Sequence, residues 1–353
     1  MRLLLYNGSM STHKVEIIKI VNELHPNADR LSLVKVHGWQ VVVGKDEFID
    51  GSLAVYVPPE YVVSITPGDV AKNVITASTL EMLSRNCRIV DAKNPSGEGY
   101  VHGYRIKVKK FRGEWSQGLL LKAPSDVQEG DDVMQLLGIG YYEPPMESSF
   151  AGEAGAAPEI PVPKYDIESL AQFNTVIVPG TQVVVTEKIH GAQSRFVYDG
   201  SQFYCGSKHE WKKESPSSIW WRTLEMIPNL KSWLKEHPRV VVLGEIYGSG
   251  VQDLHYGLKN KDIHFSAFDI WDKQFLSYEK ARAISGNLPW VPVLFQGPYE
   301  EGAIKRLAEG TSTVTRADHI REGVVVRTKE ELTSPTLGRI VLKVISNAYL
   351  ERA

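Results

Sequence analysis

The stretch Thr181–Gly191, TQVVVTEKIHG, decides the fold of the second half of the chain. Its three consecutive valines have high β-propensity and predict a buried strand. A lysine and a histidine, Lys188 and His190, follow where that strand ends. A desolvated lysine costs free energy, so Lys188 must either reach solvent or have a chemical use.

Four further predicted strands of the second half also carry an ionisable residue near one end. They are RVVVLGEIY with Glu245, IHFSAFDIW with Asp269, EGVVVRT with Glu322 and GRIVLKVIS with Lys343. A single charge beside an apolar run is usually a surface residue whose charged group reaches solvent. Five such positions in one domain are hard to explain in that way. Two lysines with two or three carboxylates suit phosphoryl or nucleotidyl transfer, in which carboxylates hold hydrated magnesium.

The composition is that of an ordinary soluble protein large enough for two domains. The chain has 353 residues, 42% of them hydrophobic and 23% charged. A net charge of -2 excludes a uniformly basic nucleic-acid coat but leaves local basic patches open. Two cysteines, Cys87 and Cys205, argue against a disulfide framework and fit a reducing, cytoplasmic compartment. No apolar stretch approaches the roughly 18 to 20 residues that span a bilayer, so no membrane association is expected.

Domain boundaries follow from the spacing of strands and turns. In the first half, short strands such as SLVKVHGWQVVVG and GSLAVYVP alternate with turn residues, which predicts a small barrel or sandwich. Residues 146–163, MESSFAGEAGAAPEIPVP, predict a linker or exposed loop. The predicted domains are therefore 11–145 and 164–353. The second is an α+β domain with a mostly antiparallel sheet and helices in IESLAQF, SSIWWRTLEMI and LKSWLKEH.

The segment RIKVKKFRG in the first domain predicts a basic strand. A period of two places Arg105, Lys107 and Lys109 on one face. Such a face is either a solvated sheet surface or a surface that follows a phosphate backbone. Both interpretations are open from the sequence.

The charged strand ends resemble the motifs of the covalent nucleotidyltransferases, a superfamily of DNA ligases, RNA ligases and mRNA capping enzymes. The five resemblances occur in the order of that superfamily. They are Lys188-Ile189-His190-Gly191 for motif I, Glu245-Ile246-Tyr247-Gly248 for motif III, Phe268-Asp269-Ile270 for motif IIIa, Glu322-Gly323-Val324-Val325 for motif IV and Leu342-Lys343 for motif V.

Two features narrow the resemblance to RNA ligases. His190 stands where most of the superfamily has aspartate, which is similar to nick-sealing RNA ligases. Ten residues follow Lys343, which leaves no room for the C-terminal OB domain of DNA ligases and capping enzymes. The small barrel lies upstream instead, so the chain resembles the fifth RNA-ligase family. The implied fold is α+β, with an N-terminal OB-type β-barrel followed by a nucleotidyltransferase domain of mostly antiparallel sheets.

The resemblance implies a set of catalytic residues. Lys188 is the expected nucleophile that attacks the α-phosphorus of ATP, and Lys343 is expected to neutralise the α-phosphate. Glu245 and Glu322 are expected to hold Mg²⁺ or Mn²⁺ through water. His190 does not supply the negative charge of the usual aspartate, so orientation of the lysine loop and contact with the ribose are both open as its role.

Further residues are expected to contact the nucleotide. Phe268 resembles the aromatic side chain that stacks on adenine, with Val325 on the opposite face, although both are also compatible with an ordinary core. Lys208 is expected at the ribose or RNA 5′-phosphate and Lys164 at the outer phosphates, unless the two are plain surface lysines. The complete expected nucleotide site is Glu187, His190, Gly191, Gln193, Lys208, Glu245, Phe268, Val325 and Lys164.

The sequence thus predicts an ATP-dependent RNA ligase. It is expected to join RNA 3′-OH and 5′-phosphate ends, at nicks in duplexes, through lysyl-AMP and adenylylated RNA, with no obligate protein partner. Arg105, Lys107 and Lys109 are expected to contact RNA phosphates. The alternatives are a DNA ligase, a GTP-using capping enzyme, and a non-catalytic RNA-binding protein with a ligase-like module.

Overall fold

The described part of the chain forms two compact units. The computed structural model describes residues 14–66, 75–97, 99–143, 152–162 and 164–352. The first unit contains the described residues up to 143 together with 347–352, and the second contains 152–346. The last helix therefore belongs with the first unit, although it follows the second in sequence.

The first unit is built mainly of strands. Its elements are β1 (Glu16–Lys19), β2 (Asn22–Leu24), β3 (Leu31–Val36), β4 (Trp39–Gly44), β5 (Leu53–Val57), β6 (Tyr61–Ser64), α1 (Ala77–Asn86), β7 (Ile89–Lys93), β8 (Tyr100–Arg105), β9 (Val108–Phe111), β10 (Glu114–Gln117), β11 (Leu119–Lys122) and β12 (Gly140–Tyr141). Strands β12, β6, β8 and β7 close into a barrel. The other strands pair in the orders β1-β5-β11, β2-β3-β4 and β10-β9.

Apolar patterning explains why these strands pack on two sides. In β4, Val41 and Val43 are buried while Val42 between them is half-buried, as expected for a sheet with one packed face. In β5, Val55 and Val57 pack into one core cluster, and alternate residues of the strand pack into another. The continuous apolar run of β5 therefore reflects burial of both faces.

The predicted basic strand RIKVKKFRG was wrong as a single element. Strand β8 ends at Arg105 and β9 begins at Val108. The chain changes pairing partner between them, because β8 pairs with β6 and β7 whereas β9 pairs with β10. Ile106 and Val108 are both buried, and the side chain of Lys107 between them is buried as well. The three cations consequently do not form one open face.

The described part of the second unit contains two larger sheets and four short helices. Its elements are β13 (Glu168–Ser169), β14 (Gln182–Lys188), β15 (Ala192–Tyr198), β16 (Phe203–Gly206), β17 (Trp211–Lys212), α2 (Ile219–Met226), α3 (Leu230–Glu236), β18 (Val241–Gly248), β19 (Ile263–Asp272), β20 (Gln274–Phe275), α4 (Tyr278–Ile284), β21 (Val293–Pro298), α5 (Glu301–Ala308), β22 (Gly323–Thr328), β23 (Thr333–Ser334), β24 (Gly338–Arg339) and β25 (Val341–Ile345). Helix α6 (Asn347–Arg352) follows them.

The two sheets of this unit are mostly antiparallel, as predicted for an α+β domain. One has the order β13-β25-β22-β14-β21 and the other β17-β16-β15-β18-β19-β20. In these two sheets, the β13–β25 pair is parallel and the other strand pairs are antiparallel. The chain passes from the first sheet to the second at the turn between β14 and β15, which contains His190 and Gly191. The lysine of motif I therefore lies where the two sheets meet.

Two of the three helices predicted in this half are present, and one is not. Helices α2 and α3 coincide with SSIWWRTLEMI and LKSWLKEH. The segment IESLAQF is instead β13 followed by a turn, because Glu168 and Ser169 pair with β25 and override the helical pattern. Among the described residues, no helix combines the length and apolarity needed to cross a membrane.

Part of the predicted linker lies along the second unit. Ala154 forms a β-bridge with Lys212, and Gly155 N donates to Trp211 O at 2.9 Å. Ile160 is buried in an apolar cluster with Trp211. The other parts of the predicted linker, residues 146–151 and 163, lie outside the described residues, as do residues 11–13 of the predicted first domain.

Candidate active site

Five residues of the predicted motifs are half-buried positions in strands, and all of these strands except β25 are otherwise largely buried. They are Lys188 in β14, Glu245 in β18, Phe268 in β19, Val325 in β22 and Lys343 in β25. Glu245 is the single residue of β18 that is not fully buried, and Val325 is the single such residue of β22. A polar side chain in such a strand is accessible to a ligand while its backbone is fixed by the sheet.

The centre of the site is an ion pair between Lys188, the last residue of β14, and Glu322, which directly precedes β22. Lys188 Nζ lies 2.7 Å from Glu322 Oε1. The other oxygen, Glu322 Oε2, is buried and has no hydrogen-bond partner among the described residues. His190 Nδ1 lies 3.8 Å from it. Because buried carboxylate oxygens normally have partners, this oxygen is suited to a group brought by a ligand, such as metal-bound water.

Burial and neighbouring charges have partly opposing effects on the pKa values of Lys188 and Glu245. Burial by itself lowers the pKa of Lys188, but the carboxylates of Glu322 and Glu245 outweigh it and the pKa is raised. Burial raises the pKa of Glu245 to about 8, Lys188 opposes that change and Glu322 reinforces it. In the free protein the lysine is therefore an ammonium held by the Glu322 carboxylate, and Glu245 binds a proton below about pH 8. The two carboxylates together accommodate a further positive charge.

Lys343 is the second lysine of the site and differs from the first. It lies opposite Val325 in the β22–β25 pair. Burial lowers the pKa of Lys343, and the nearby Lys188 lowers it further. Among the described residues, its ammonium makes no hydrogen bond or ion pair within the structure. A desolvated cation of this kind is a favourable partner for a phosphate oxygen.

His190 is held by residues that no motif identified. Its backbone N–H donates to the Tyr256 hydroxyl at 2.7 Å, and its Nε2 lies 2.7 Å from Asp253 Oδ1. Motif I here lacks the usual aspartate. The carboxylate of Asp253 contacts the imidazole of His190, and so replaces that aspartate in part. Asp253 is 63 positions away in sequence, in a loop with no periodic pattern.

Phe268 owes its half-buried position to an irregularity in the sheet. Leu243 pairs with Asp269 and Gly244 pairs with Ala267, so Phe268 is the extra residue of a β-bulge. Bulges re-aim a side chain and are frequent beside active sites. The Phe268 ring lies 4.8 Å from the Tyr165 ring. Val325 lies in the other sheet of the unit.

Glu187 does not face a nucleotide site. Its side chain is 1% exposed, and its carboxylate accepts hydrogen bonds from the Ser312 hydroxyl and from the backbone and hydroxyl of Thr313. The expectation that Glu187 contacts the nucleotide is corrected, because this carboxylate anchors the loop around Ser312. Gln193 Nε2 donates to Tyr165 O at 3.3 Å.

Gly191 has a steric function in the structure. A Cβ at Gly191 would lie 2.1 Å from Ile246 O, closer than atoms can approach. The turn between β14 and β15 therefore needs glycine to pack against β18. This is a packing reason for the glycine of motif I.

The two other predicted lysines differ in their surroundings. Lys208 Nζ forms an ion pair with Asp166 Oδ2 at 2.8 Å. Burial raises the pKa of Asp166, but the positive charge of Lys208 outweighs it and the net pKa is lowered. Lys164 is exposed. Asp269 in β19 accepts from Arg327 in β22 and from Arg339 in β24, so it links these strands.

The three cations expected to bind RNA have separate environments in the first unit. Arg105 is buried, ion-paired with Glu60 and stacked on the Tyr142 ring at 4.2 Å. The expectation that Arg105 is an open phosphate contact is corrected, because its guanidinium already has these partners. Lys107 is buried and Lys109 is half-buried.

Two family models match the chain. Residues 181–345 match the model described as RNA ligase, and this range contains the motif residues from Lys188 to Lys343. Residues 11–123 match a model described as an OB-fold domain. The predicted order, an N-terminal OB-type barrel followed by an α+β ligase domain, is confirmed.

Solved RNA ligase structures share the fold over almost the whole chain. A mutant of an RNA ligase from Naegleria gruberi in its apo form is 24% identical with a TM-score of 0.77, and covers 96% of this chain and 98% of that one. A second apo mutant is 26% identical with a TM-score of 0.76, covering 97% and 99%. A third mutant, solved with ATP and Mn, is 25% identical with a TM-score of 0.75, covering 98% and 99%. A comparison with curated proteins finds no match.

Proposed function

We propose that the protein is an ATP-dependent RNA ligase that joins RNA 3′-OH and 5′-phosphate ends through lysyl-AMP and adenylylated RNA. The observation that carries the proposal is the Lys188–Glu322 ion pair, which lies among half-buried Glu245 and Lys343 within the RNA ligase domain. The similarity to an RNA ligase that was solved with ATP and Mn supports ATP as the nucleotide.

In the first step Lys188 is the nucleophile. The ammonium gives up a proton, for which Glu322 at 2.7 Å is the nearest acceptor. The neutral amine attacks the α-phosphorus of ATP. A bond forms between Nζ and phosphorus, the bond to the bridging oxygen breaks, and pyrophosphate leaves. Lys343 neutralises the phosphate charge that develops.

Glu245 and Glu322 are the residues proposed to hold Mg²⁺ or Mn²⁺, through water. The unpartnered Glu322 Oε2 and the raised pKa of Glu245 fit such a cation. When bound, the ion supplies positive charge that neutralises phosphate oxygens and disfavours the ammonium form of the neighbouring lysine. Asp253 is proposed to fix the ring of His190, and the ring in turn is proposed to keep its position beside Glu322.

The nucleotide base is proposed to lie between Phe268 and Val325, with the β-bulge placing the aromatic ring. Gln193 is a proposed contact of the adenine or ribose edge, Lys208 of the ribose or the RNA 5′-phosphate, and Lys164 of the outer phosphates. The Lys208–Asp166 pair would then open when a phosphate binds.

In the later steps AMP moves to an RNA 5′-phosphate, and a 3′-hydroxyl displaces it to form the phosphodiester bond. The proposed substrate is a nicked duplex, recognised through its 2′-hydroxyls and A-form shape. The domains predicted from the sequence, 11–145 for RNA binding and 164–353 for chemistry with the linker 146–163, are proposed with one change, because residues 347–352 belong with the first unit. Free thiols at Cys87 and Cys205 support a reducing, cytoplasmic location.

A substrate comparison tests the proposal against its alternatives. The protein is incubated with nicked duplexes whose 3′-OH strand is RNA or DNA, each with ATP or GTP and magnesium. Sealing of RNA nicks with ATP supports the proposal. Preference for DNA nicks would favour a DNA ligase, nucleotide capture from GTP alone would favour a capping-type enzyme, and binding of RNA without nucleotide transfer would favour a non-catalytic protein.

A further inference from the structure

A cavity of about 290 Å³ lies in the first unit, and none of the residues that line it belongs to the ligase motifs. Residues of strands β3 and β4, of helix α1 and of the stretch from 106 to 120 line it. Its size is near the lower end of the range of about 300 to 1,000 Å³ for small-ligand sites. Its wall is mostly apolar and includes Val41, Val43, Met82 and the two aromatic rings of Phe48 and Phe111.

A buried cation forms part of the wall. Lys107 is 8% exposed and lines the cavity with Lys109. Among the residues that the structure describes, the Lys107 ammonium neither donates a hydrogen bond nor forms an ion pair. Burial lowers the pKa of Lys107, and positive charge on Arg105, Arg88 and Lys109 lowers it further. Glu60 alone opposes them, and it is ion-paired with Arg105.

A buried charge without a partner is costly, and proteins normally neutralise it or pair it. Positive charges predominate among the groups that shift the pKa of Lys107, and the carboxylate in the cavity wall, Glu47, accepts from Gly44 N at 2.8 Å. The missing partner is therefore an anion from outside the chain. The adjoining apolar space then holds the uncharged body of the same ligand.

We propose that this cavity binds one unstacked nucleotide of an RNA strand, with its base among the apolar side chains and its phosphate at Lys107 and Lys109. Phe48 and Phe111 provide rings on which a base can stack, an interaction that tolerates any base. The choice of RNA rests on the proposed function, whereas the anionic and planar character of the ligand comes from the cavity itself.

Polar groups in the wall favour a base over an acyl chain. Ser116 Oγ accepts from Val42 N at 3.0 Å, which leaves the Ser116 hydroxyl proton to be donated. Asn86 Nδ2 donates to Met82 O at 2.8 Å, which leaves the Asn86 carbonyl oxygen. The edge of a base uses a donor and an acceptor, whereas an acyl chain uses neither.

The first test compares two lysines of neighbouring positions in full-length protein. Lys107→Met removes the cavity charge, and Lys109→Met is a second variant of the same site. Lys110→Met is the matched control, because Lys110 is exposed, lies over the Trp115 ring at 5.1 Å and is not part of the wall. Binding of a short fluorescein-labelled single-stranded RNA with a 5′-hydroxyl end is measured by anisotropy without ATP.

We expect Lys107→Met to raise the Kd about tenfold and to reduce the slope of log K against log salt by about 0.7, as for loss of one single-strand phosphate contact. The control is expected to change the Kd less than about twofold, because its charge is exposed and screened. Lys107→Met is also expected to melt at the same or a higher temperature, because an unpaired buried charge has gone. Equal effects of Lys107→Met and Lys110→Met would overturn the proposal.

The second test locates the base. The same RNA carrying 5-iodouracil is photocrosslinked, and crosslinked peptides are identified by mass spectrometry with AMP, inorganic phosphate or oleate as competitor. Crosslinks to the peptides that contain Phe48 or Phe111 are expected. Competition by AMP would identify a free nucleotide as an alternative source of the same chemistry, and competition by phosphate alone would show that the base adds nothing and overturn the proposal.

Displacement by oleate with no crosslink to these peptides would identify an acyl anion and also overturn the proposal.

Failure of this RNA-binding proposal can be distinguished from failure of the proposed ligase function. Self-labelling by ATP is expected to be unchanged in the control Lys110→Met, and a wild-type protein that fails to label would contradict the ligase function while leaving the RNA-binding result standing.

Discussion

Asp253 acts on the candidate active site through a single histidine. Its side chain is 62% exposed, yet its carboxylate lies 2.7 Å from His190 Nε2, and the same ring faces Glu322 Oε2 at 3.8 Å. An exposed carboxylate that fixes a ring in a buried site is a positioning residue. This arrangement answers the question left by the histidine in motif I, because it shows what holds the imidazole.

We expect Asp253→Ala to slow self-adenylylation about tenfold, the usual minimum cost of removing a partner that orients a catalytic group. Asp253→Asn is expected to retain most activity, because its amide oxygen still accepts from Nε2–H. Asp262→Ala is the control, an exposed aspartate of the same unit. The measurement is the single-turnover rate at several magnesium concentrations. Equal rates for Asp253→Ala and Asp262→Ala would show that His190 is positioned by other means.

The turn between β14 and β15 depends on the absence of a side chain at Gly191. The 2.1 Å approach to Ile246 O involves backbone, which does not move aside as a flexible side chain does. Gly191→Ala is expected to destabilise the protein by about 1 to 3 kcal/mol and to displace Lys188, with loss of self-adenylylation. Urea unfolding and nucleotide labelling measure the two effects.

Gly302→Ala is the matched control for that substitution. Gly302 is in helix α5, and the nearest atom to a new Cβ is Arg306 Nη1 at 3.3 Å, at the end of a flexible side chain. Gly302 lies in the first turn of α5, and alanine has a higher helix propensity than glycine, so this variant is expected to be neutral or more stable. Similar losses in the two variants would contradict the steric account of Gly191.

The strands around the site are joined by a buried charge network. Asp269 is fully buried and accepts from Arg339 Nη1 at 2.6 Å and Arg327 Nη1 at 3.3 Å. Asp269→Ala leaves two guanidiniums without this partner and is expected to cost about 3 to 5 kcal/mol of unfolding free energy in urea. Glu331→Ala is expected to cost less, because Arg339 keeps Asp269. A loss below about 1 kcal/mol for Asp269→Ala would show that the network is compensated by other contacts.

The stability of the whole protein is expected to depend on Glu245 and pH. Burial raises the pKa of Glu245 to about 8, above its value in the unfolded chain. Between about pH 4.3, the ordinary glutamate pKa, and pH 8, the folded state therefore binds the extra proton, and its stability falls as the pH rises. Glu245→Gln removes this titration, so this variant is expected to be more stable than wild type at pH 8 in the absence of metal.

Thermal unfolding at pH 6 and pH 8 measures that effect. Magnesium is expected to stabilise the wild-type protein more at pH 8 than at pH 6, because the ionised carboxylate is the form that holds a cation. Parallel changes of the melting temperatures of wild type and Glu245→Gln between the two pH values would contradict this explanation.

At the scale of the molecule, the sequence predicted the order of the domains and the main ligase strands. Apolar runs bounded by turns predicted β14, β18, β19 and β22 because each is buried on at least one face. The site residues predicted from motifs, such as Lys188 and Glu322, are adjacent in the structure. Local patterns did not predict the partners supplied by loops. Asp253 lies 63 positions from His190, and Ser312 lies 125 positions from Glu187.

The sequence also did not indicate where the chain changes its pairing partner. The period of two in RIKVKKFRG continues through the point where β8 ends and β9 begins, so the pattern did not show that Lys107 turns into the interior. IESLAQF has a helical apolar pattern, yet the hydrogen bonds offered by β25 are stronger determinants than its propensity. In both segments, pairing with other strands determined the secondary structure.

Transfer of label from ATP to Lys188 tests the central claim most directly. Wild type, Lys188→Ala and the Lys110→Met surface control are incubated with magnesium and ATP labelled in the α-phosphate, and are then separated under denaturing conditions. Covalent label is expected on wild type and on Lys110→Met, and none is expected on Lys188→Ala. Label retained by Lys188→Ala, or no label on folded wild type with magnesium or manganese, would contradict it.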